Sequence, residues 1–433
     1  MPVLFGIPLI GWIQMLLGSA LVLFVLIKFL LRPKKKKTAG YLIRDVHVII
    51  GDGSELFHQN VLIKDEVIQK ISSEPVEDAA VTVIDGSGLT LMPGLIDAHV
   101  HIQGGFSCRS EEESDVFLQK KIPQICAVFS DVEPNPQLSG AAEAAALARK
   151  HEADAVIGVG GGSAMDTAKF AAAIVPGDAP AEAYFRGEKP LPSQALTIVC
   201  VPTTAGTGSE VTQVSVISHG TEKRTTNHPS FMPKAAVVDP LLTLTVSPYT
   251  TMITGLDAMA HALEGCWSKN HQPITDLLAA EAVRLILENL SAAYRDGSSR
   301  DARAALSYAS LLGGLSFALP KTAGCHACSY PLSENWHLPH GEACAFTLDS
   351  FVRINADKRL EELCRRAGLS GTEELAERIR AFKQEAGLKT RLSDLGTVDV
   401  SALAKAAAAH PLMKNNPVPM DETALREMFE ALR

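Results

Sequence analysis

The spacing of a disulfide scaffold is missing from this 433-residue chain. Its eight cysteines stand scattered at 108, 126, 200, 266, 325, 328, 344 and 364. That excludes a small secreted fold held by bridges and fits a reducing compartment. One close pair, Cys325-His326-Ala327-Cys328, has the outline of a redox motif, but no thioredoxin-like strand pattern precedes it. An excess of basic residues is missing too. The net charge is −9, and the first 37 residues hold five Lys, one Arg and no acid, which leaves −15 on the rest. So acidic a body excludes a nucleic-acid binder, because phosphate neutralisation needs clustered Lys and Arg. What is present is a folding composition, 46% hydrophobic and 21% charged, which excludes a largely disordered chain. The length allows roughly two to four domains.

Residues 2–27 carry no charged side chain, and Arg32 and Lys34 to Lys37 follow. A helix crossing a ~30 Å hydrocarbon core needs about 20 apolar residues. No basic side chain precedes the run, and it lacks the cleavage site of a secretory signal. The pattern predicts a transmembrane helix with a basic stop over 1–37. The chain would be membrane-anchored by this N-terminal helix, with the catalytic body in the cytoplasm. If the segment is not so used, as a core helix or a misassigned start, a cytoplasmic protein is expected.

Residues 38–105 read as a small β-rich segment. Short apolar runs such as Val46-His47-Val48-Ile49-Ile50 and Val81-Thr82-Val83-Ile84 are separated by Gly51-Asp52-Gly53 and Asp85-Gly86-Ser87-Gly88. The segment closes on PGLIDAHVH, where strand alternation puts His99 and His101 on one face. Two imidazoles so placed can begin a divalent-metal site. This stretch, about 41–105, resembles the N-terminal part of the amidohydrolase superfamily. The resemblance implies a small β-sandwich and a first barrel strand. It also implies a bridging Lys, two more His and an Asp from later strands, yet no His occurs between 102 and 150.

An α/β dinucleotide-binding domain is expected over 106–249. The buried-strand run HEADAVIG leads into Gly160-Gly161-Gly162-Ser163 and then a helix through Asp166 and Lys169. Bare backbone N–H groups at a helix start suit a pyrophosphate. The turn is not G-x-G-x-x-G, and alone it is weak evidence. A second strand, Leu196 to Val201, opens into a hydroxyl- and glycine-rich loop, Pro202 to Glu210, which suits the other half of a phosphate and ribose cradle. From about Thr250 the apolar spacing becomes helical, as in Asp276 to Leu290, and an all-α domain is expected over 250–433. There Asp257 and His261, four apart, share a helix face, and His326 and His340 follow. One carboxylate and three imidazoles suit Fe²⁺ or Zn²⁺ and are poor for Mg²⁺. Taken singly, each of these histidines reads better as a hydrogen-bonded core residue, and it is the set together that points to a metal.

From about 125 to 433 the chain resembles the iron-dependent (group III) alcohol dehydrogenases. The strings that carry this are PNP at Pro134 to Pro136, GVGGGSAMDTAK, VPTTAGTGSEVT, VDPLLT, TGLDAMAHALE, His326 with LPHG, and KNNPVP, in that order. The resemblance implies a dehydroquinate-synthase-like fold, an α/β dinucleotide domain followed by an all-α helical domain with a metal in the cleft. It implies Asp257, His261, His326 and His340 as metal ligands and catalytic centre. Gly161, Gly162, Ser163 and Asp166 then match the pyrophosphate turn. Thr203, Thr204, Thr207 and Ser209 match the second cofactor loop, and Lys223 or Arg224 matches a ribose contact. The opening strand of the family is displaced by the amidohydrolase-like piece, with Ala98 to Gly105 as a candidate replacement. Tyr330 stands where many relatives carry a further His. The wording CHACSYPL…LPHGEACAF is closest to the phosphonoacetaldehyde-reductase branch. The expected protein is a metal-dependent NAD(P)-linked alcohol dehydrogenase or aldehyde reductase. It would use Fe²⁺ or Zn²⁺ with NAD or NADP on a small alcohol or aldehyde, without nucleic acid, and as a homodimer by analogy. Two alternatives stay open: an inactive hybrid that keeps the metal, and a metal hydrolase using His99 and His101.

Overall fold

The structure is a computed structural model. It describes residues 127–433 except 221, together with 3–4, 7–8, 41–49, 55–64, 67–76, 81–85 and 90–91. The chain divides into two compact units, Met1–Pro123 and Gln124–Arg433.

In the first unit, Val3–Leu4 (β1) pairs antiparallel with Ile7–Pro8 (β2). This corrects the expected transmembrane helix at its start. Residues paired across a tight hairpin are extended and cannot make the i to i−4 bonds of a helix, and Pro8 has no N–H to give. Among the described residues no helix is long and apolar enough to cross a membrane. The membrane anchor, the membrane as a partner and the anchored localisation fall with it. The physical reason is that an apolar run states burial and not helicity. The remainder of that prediction, residues 9–37, lies outside the described residues, as do His99, His101 and the segment Ala98 to Gly105.

The β-rich stretch forms one sheet from Tyr41–Ile49 (β3), Glu55–Lys64 (β4), Val67–Ser72 (β5), Thr82–Asp85 (β6) and Thr90–Leu91 (β7). Its order is β5-β4-β3-β6, with β7 also on β3. β3 runs antiparallel to β4 and parallel to β6 and β7. Leu42, Ile43 and Val61 are buried. The ladder slips between Ile43 and Val46, where Asp45 and His58 both take positive φ. The Asp45 carboxylate and His58 Nδ1 meet at 2.6 Å across this bulge.

The second unit opens α/β. Leu138–Lys150 (α1) leads to Ala155–Gly160 (β8), Gly162–Ile174 (α2), Ala181–Arg186 (α3) and Thr197–Pro202 (β9). The hairpin Val214–His219 (β10) with Glu222–Asn227 (β11) follows, and then Ala235–Ala236 (β12). β8, β9 and β12 form a parallel sheet with β9 central. α2 lies on that sheet through Met165 and Ala172 against Ile198 and Cys200. Gly158 permits the close approach, since a Cβ there would stand 2.8 Å from Ala168 Cβ.

The rest is helical: Pro248–Trp267 (α4), Pro273–Arg295 (α5), Arg300–Ala318 (α6), Gly324–Trp336 (α7), His340–Ile354 (α8), Lys358–Arg366 (α9), Thr372–Glu385 (α10), Val400–Ala409 (α11) and Glu422–Glu430 (α12). α4 starts where Pro248 takes the first helical position and the Ser247 hydroxyl accepts the Thr250 N–H at 3.1 Å. It is buried almost end to end and packs against α5, α6 and α8. Leu256, Met259, Leu263 and Trp267 join Ile286 and Phe346 in one contiguous apolar core. The central element of the domain is thus also the one that carries Asp257 and His261.

Candidate metal and dinucleotide site

Three helix segments meet at one point. α4 brings Asp257 and His261, the first turn of α7 brings His326, and α8 begins on His340. The glycine of LPHG makes the last approach possible. A Cβ on Gly341 would strike the Ile253 carbonyl of α4 and reach Asp257 Cβ. Asp257 Oδ1 stands 3.7 Å from His326 Nε2 and 3.8 Å from His340 Nε2. His326 Nε2 stands 3.1 Å from His261 Nε2. Asp257, His261 and His326 are buried, while the His340 side chain is 37% exposed.

Hydrogen bonds on the far side of each ring fix the tautomers. A carbonyl only accepts, so His261 Nδ1 donates to Gly206 O at 3.2 Å. His326 Nδ1 donates to the fully buried Glu264 carboxylate. Glu264 also accepts the Cys325 N–H at 2.6 Å. Both Nε2 atoms are then lone-pair donors in the neutral rings, aimed at each other. Asp257 Oδ1 is buried and takes no hydrogen bond. Converging lone pairs beside an orphaned carboxylate oxygen repel unless a cation sits among them, so the residues present fit a divalent metal. Burial alone would raise the Asp257 pKa, but His261, His340 and His326 around it hold it below its usual value. Burial pushes His261 and His340 down, which keeps their ring nitrogens free.

Two residues that the sequence reading missed belong to this centre. Glu264 is three residues after His261 on the same helix face, which is a signal the spacing could have given. Cys344 is one turn after His340. It forms with Asp257, His326 and His340 a group whose donor atoms all lie within 4.8 Å of one another. Phe317 stacks on the His261 ring at 4.3 Å between centroids. The CxxC outline is no redox pair. Cys325 and Cys328 are buried on α7, and burial pushes both thiols up.

The glycine turn sits at the head of α2. Gly160 has φ +148° and Gly161 is the N-cap. Thr204 packs over Gly161 and Thr207 over Gly162, where an added Cβ would stand 2.9 Å from Thr207 Cγ2. The Thr203 N–H donates to Gly160 O at 2.9 Å, stitching the two loops together. Ser163 lies in the first turn of α2, and its carbonyl accepts the Thr167 hydroxyl. Asp166 and Ser209 face each other: Ser209 Oγ donates to Asp166 Oδ1 at 2.7 Å, and the Val216 N–H donates to Oδ2 at 2.8 Å. Lys169 Nζ donates to Ser209 O, Ser209 Oγ and Val214 O. These residues brace the second loop from behind. That loop carries Gly206, so one segment packs on the glycine turn and orients the His261 ring. Lys223 Nζ donates to Asn135 Oδ1 of the PNP string at 2.9 Å and lies 5.7 Å above the Tyr330 ring. Arg224 is turned away, with its guanidinium on Phe185 and its carbonyl. Tyr330 shares a 2.7 Å hydrogen bond with Thr225 and stacks on His410.

A glycine turn at a helix start and a carboxylate–imidazole cluster stand in one unit, the arrangement of a nucleotide-binding metalloenzyme. Residues 111–240 match the family described as iron-containing alcohol dehydrogenase, and 251–432 match its C-terminal part. Long-chain-alcohol dehydrogenase 1 of Geobacillus thermodenitrificans is 37% identical over 320 residues, 70% of this chain and 81% of that one. Sulfoacetaldehyde reductase of Bilophila wadsworthia is 31% identical over 323 residues, 70% of this chain and 83% of that one. The solved structure of sulfoacetaldehyde reductase from Bifidobacterium kashiwanohense with NAD+ is 40% identical. It superposes with a TM-score of 0.69, over 71% of this chain and 83% of that one. The chain belongs to the iron-containing alcohol dehydrogenases, and it is an iron- and NAD(P)-dependent enzyme acting on an alcohol or aldehyde.

Proposed function

We propose that this chain reduces small aldehydes with an anionic head group, of the sulfoacetaldehyde or phosphonoacetaldehyde kind, and runs the reverse oxidation. Asp257, His261, His326 and His340 hold the metal in this reading. Gly161, Gly162, Ser163, Thr203, Thr204 and Thr207 line the dinucleotide cradle, and Asp166 and Ser209 support it. Residues 106–249 serve as the nucleotide domain and 250–433 as the metal domain. The observation that carries the reading is the buried, unpaired Asp257 Oδ1 with two imidazole Nε2 atoms within 3.8 Å of it. The anionic head group rests on the two sulfoacetaldehyde reductases among the relatives, on the CHACSYPL…LPHG wording, and on Lys223. The amine of Lys223 donates to the neutral Asn135 amide and lies over the Tyr330 ring.

When bound, the iron polarises the substrate's oxygen and the dinucleotide carries the hydride. The chain's own residues position and exclude. Glu264 and the Gly206 carbonyl lock the two imidazoles so that Nε2 faces the site. Phe317 covers the His261 ring and keeps water from its face. The free N–H groups at the head of α2 receive the pyrophosphate, and Thr204 and Thr207 close over them. The amidohydrolase likeness of 41–105 remains one of sequence, and no hydrolase activity is assigned to it.

The test is oxidation of NADH and NADPH by the anaerobically iron-loaded full chain with paired aldehydes. A kcat/KM for sulfoacetaldehyde or phosphonoacetaldehyde at least tenfold above that for propanal supports the reading. Equal or higher values for propanal overturn the substrate class and leave the family assignment standing.

A further inference from the structure

Cys344 is completely buried on α8, one turn after His340. Its Sγ lies 3.7 Å from His340 Nε2 and 4.0 Å from Nδ1. Asp257, His326, His340 and Cys344 each bring one donor atom into a group no wider than 4.8 Å. The same spacing recurs on both helices: Asp257 and His261 are i and i+4 on α4, as His340 and Cys344 are on α8. In each pair the two side chains share one helix face. Asp257 Oδ1, buried and unpartnered, is aimed into this group.

We propose that Cys344 is a thiolate ligand of the metal, so that the centre is built from oxygen, nitrogen and sulfur and not from Asp257 and imidazoles alone. This rests on the reading that Asp257, His261, His326 and His340 hold the ion. On binding, the sulfur–metal bond forms, the S–H bond breaks and the proton leaves to solvent, with no change of oxidation state. The carboxylate and the thiolate together cancel the charge of a divalent ion, which suits a site shut off from water on most sides. A soft donor also shifts preference towards thiophilic ions relative to the same site without it. Burial as an apolar filler is the ordinary role of a cysteine. Cys325 and Cys328 on α7 are buried without belonging to the donor group, and they serve as internal controls.

The full chain is stripped with a chelator and refilled with one equivalent of Co²⁺. The wild type is expected to show a near-ultraviolet sulfur-to-cobalt charge-transfer band. Cys344→Ser is expected to lose it while still holding cobalt, and Cys328→Ser to keep it. A cobalt-loaded wild type without the band, or a Cys344→Ser protein that retains it, overturns the proposal. If Cys344→Ser does not fold, X-ray absorption on the wild type decides. A sulfur shell near about 2.3 Å supports the thiolate, and nitrogen and oxygen alone at about 2.0–2.2 Å rule it out. A wild type that binds no cobalt overturns the metal site itself, and the cysteine's role with it.

Discussion

The Nε2 atoms of His261 and His326 face each other at 3.1 Å, and the hydrogens of both rings are spent on the opposite nitrogens, on Gly206 and Glu264. Two lone pairs held so close are stable only around a shared cation. Burial opposes a charge on His326, but Cys344 and Glu264 beside it outweigh burial and hold its pKa well above the usual value.

Metal removal therefore destabilises the helical half. A ligand that binds only the folded state adds about 2.7 kcal/mol at one hundred times its Kd. Chelator treatment should lower the thermal midpoint, and one equivalent of Fe²⁺ or Zn²⁺ should restore it. An unchanged midpoint would show that the donors do not share an ion.

Glu264→Gln keeps the shape of the side chain but sets an amide against His326 Nδ1 and the two backbone N–H groups of Cys325 and His326. Partners behind metal-bound histidines are worth roughly 10–100-fold in metal affinity. Competition with a chromophoric chelator should show a loss in that range while the helical circular dichroism is kept. Wild-type affinity would mean that Glu264 merely fills the core.

Asp257 and His261 were legible in the sequence because helix periodicity puts them on one face, and the glycine turn because strand, turn and helix follow in order. Spacing puts Glu264 on the His261 face and Cys344 on the His340 face, but which ring nitrogen each meets depends on how α4, α7 and α8 cross. The hydrogen bond between Asp166 and Ser209, residues 43 apart, is not stated by any spacing along the chain. The apolar start misled because hydrophobicity is common to spanning helices and to strands such as Val3–Leu4.

Gly162→Ala should drive the two cofactor loops apart, since the new methyl meets Thr207 at 2.9 Å. Fluorescence titration should show NADH binding weakened on the order of tenfold, about 1.4 kcal/mol, with metal content unchanged. Undiminished binding would move the pyrophosphate away from this turn.

Lys169→Met removes a buried amine that ties Ser209 and Val214 to α2 and leaves Asp166 without its cation at 4.0 Å. Breaking one side of a buried pair destabilises by about 3–5 kcal/mol. Denaturant unfolding should show a loss of this order together with weaker NADH binding. A near-neutral effect would mean that the loop is braced elsewhere.

The most direct measurement compares wild type and His326→Ala, both loaded anaerobically with Fe²⁺. It reads iron per chain together with aldehyde-dependent oxidation of NADH and NADPH. One iron per chain and turnover in the wild type, with both lost in the variant, is the expected result. Full turnover in His326→Ala, or in chelator-stripped wild type, would contradict a metal centre at Asp257, His261, His326 and His340.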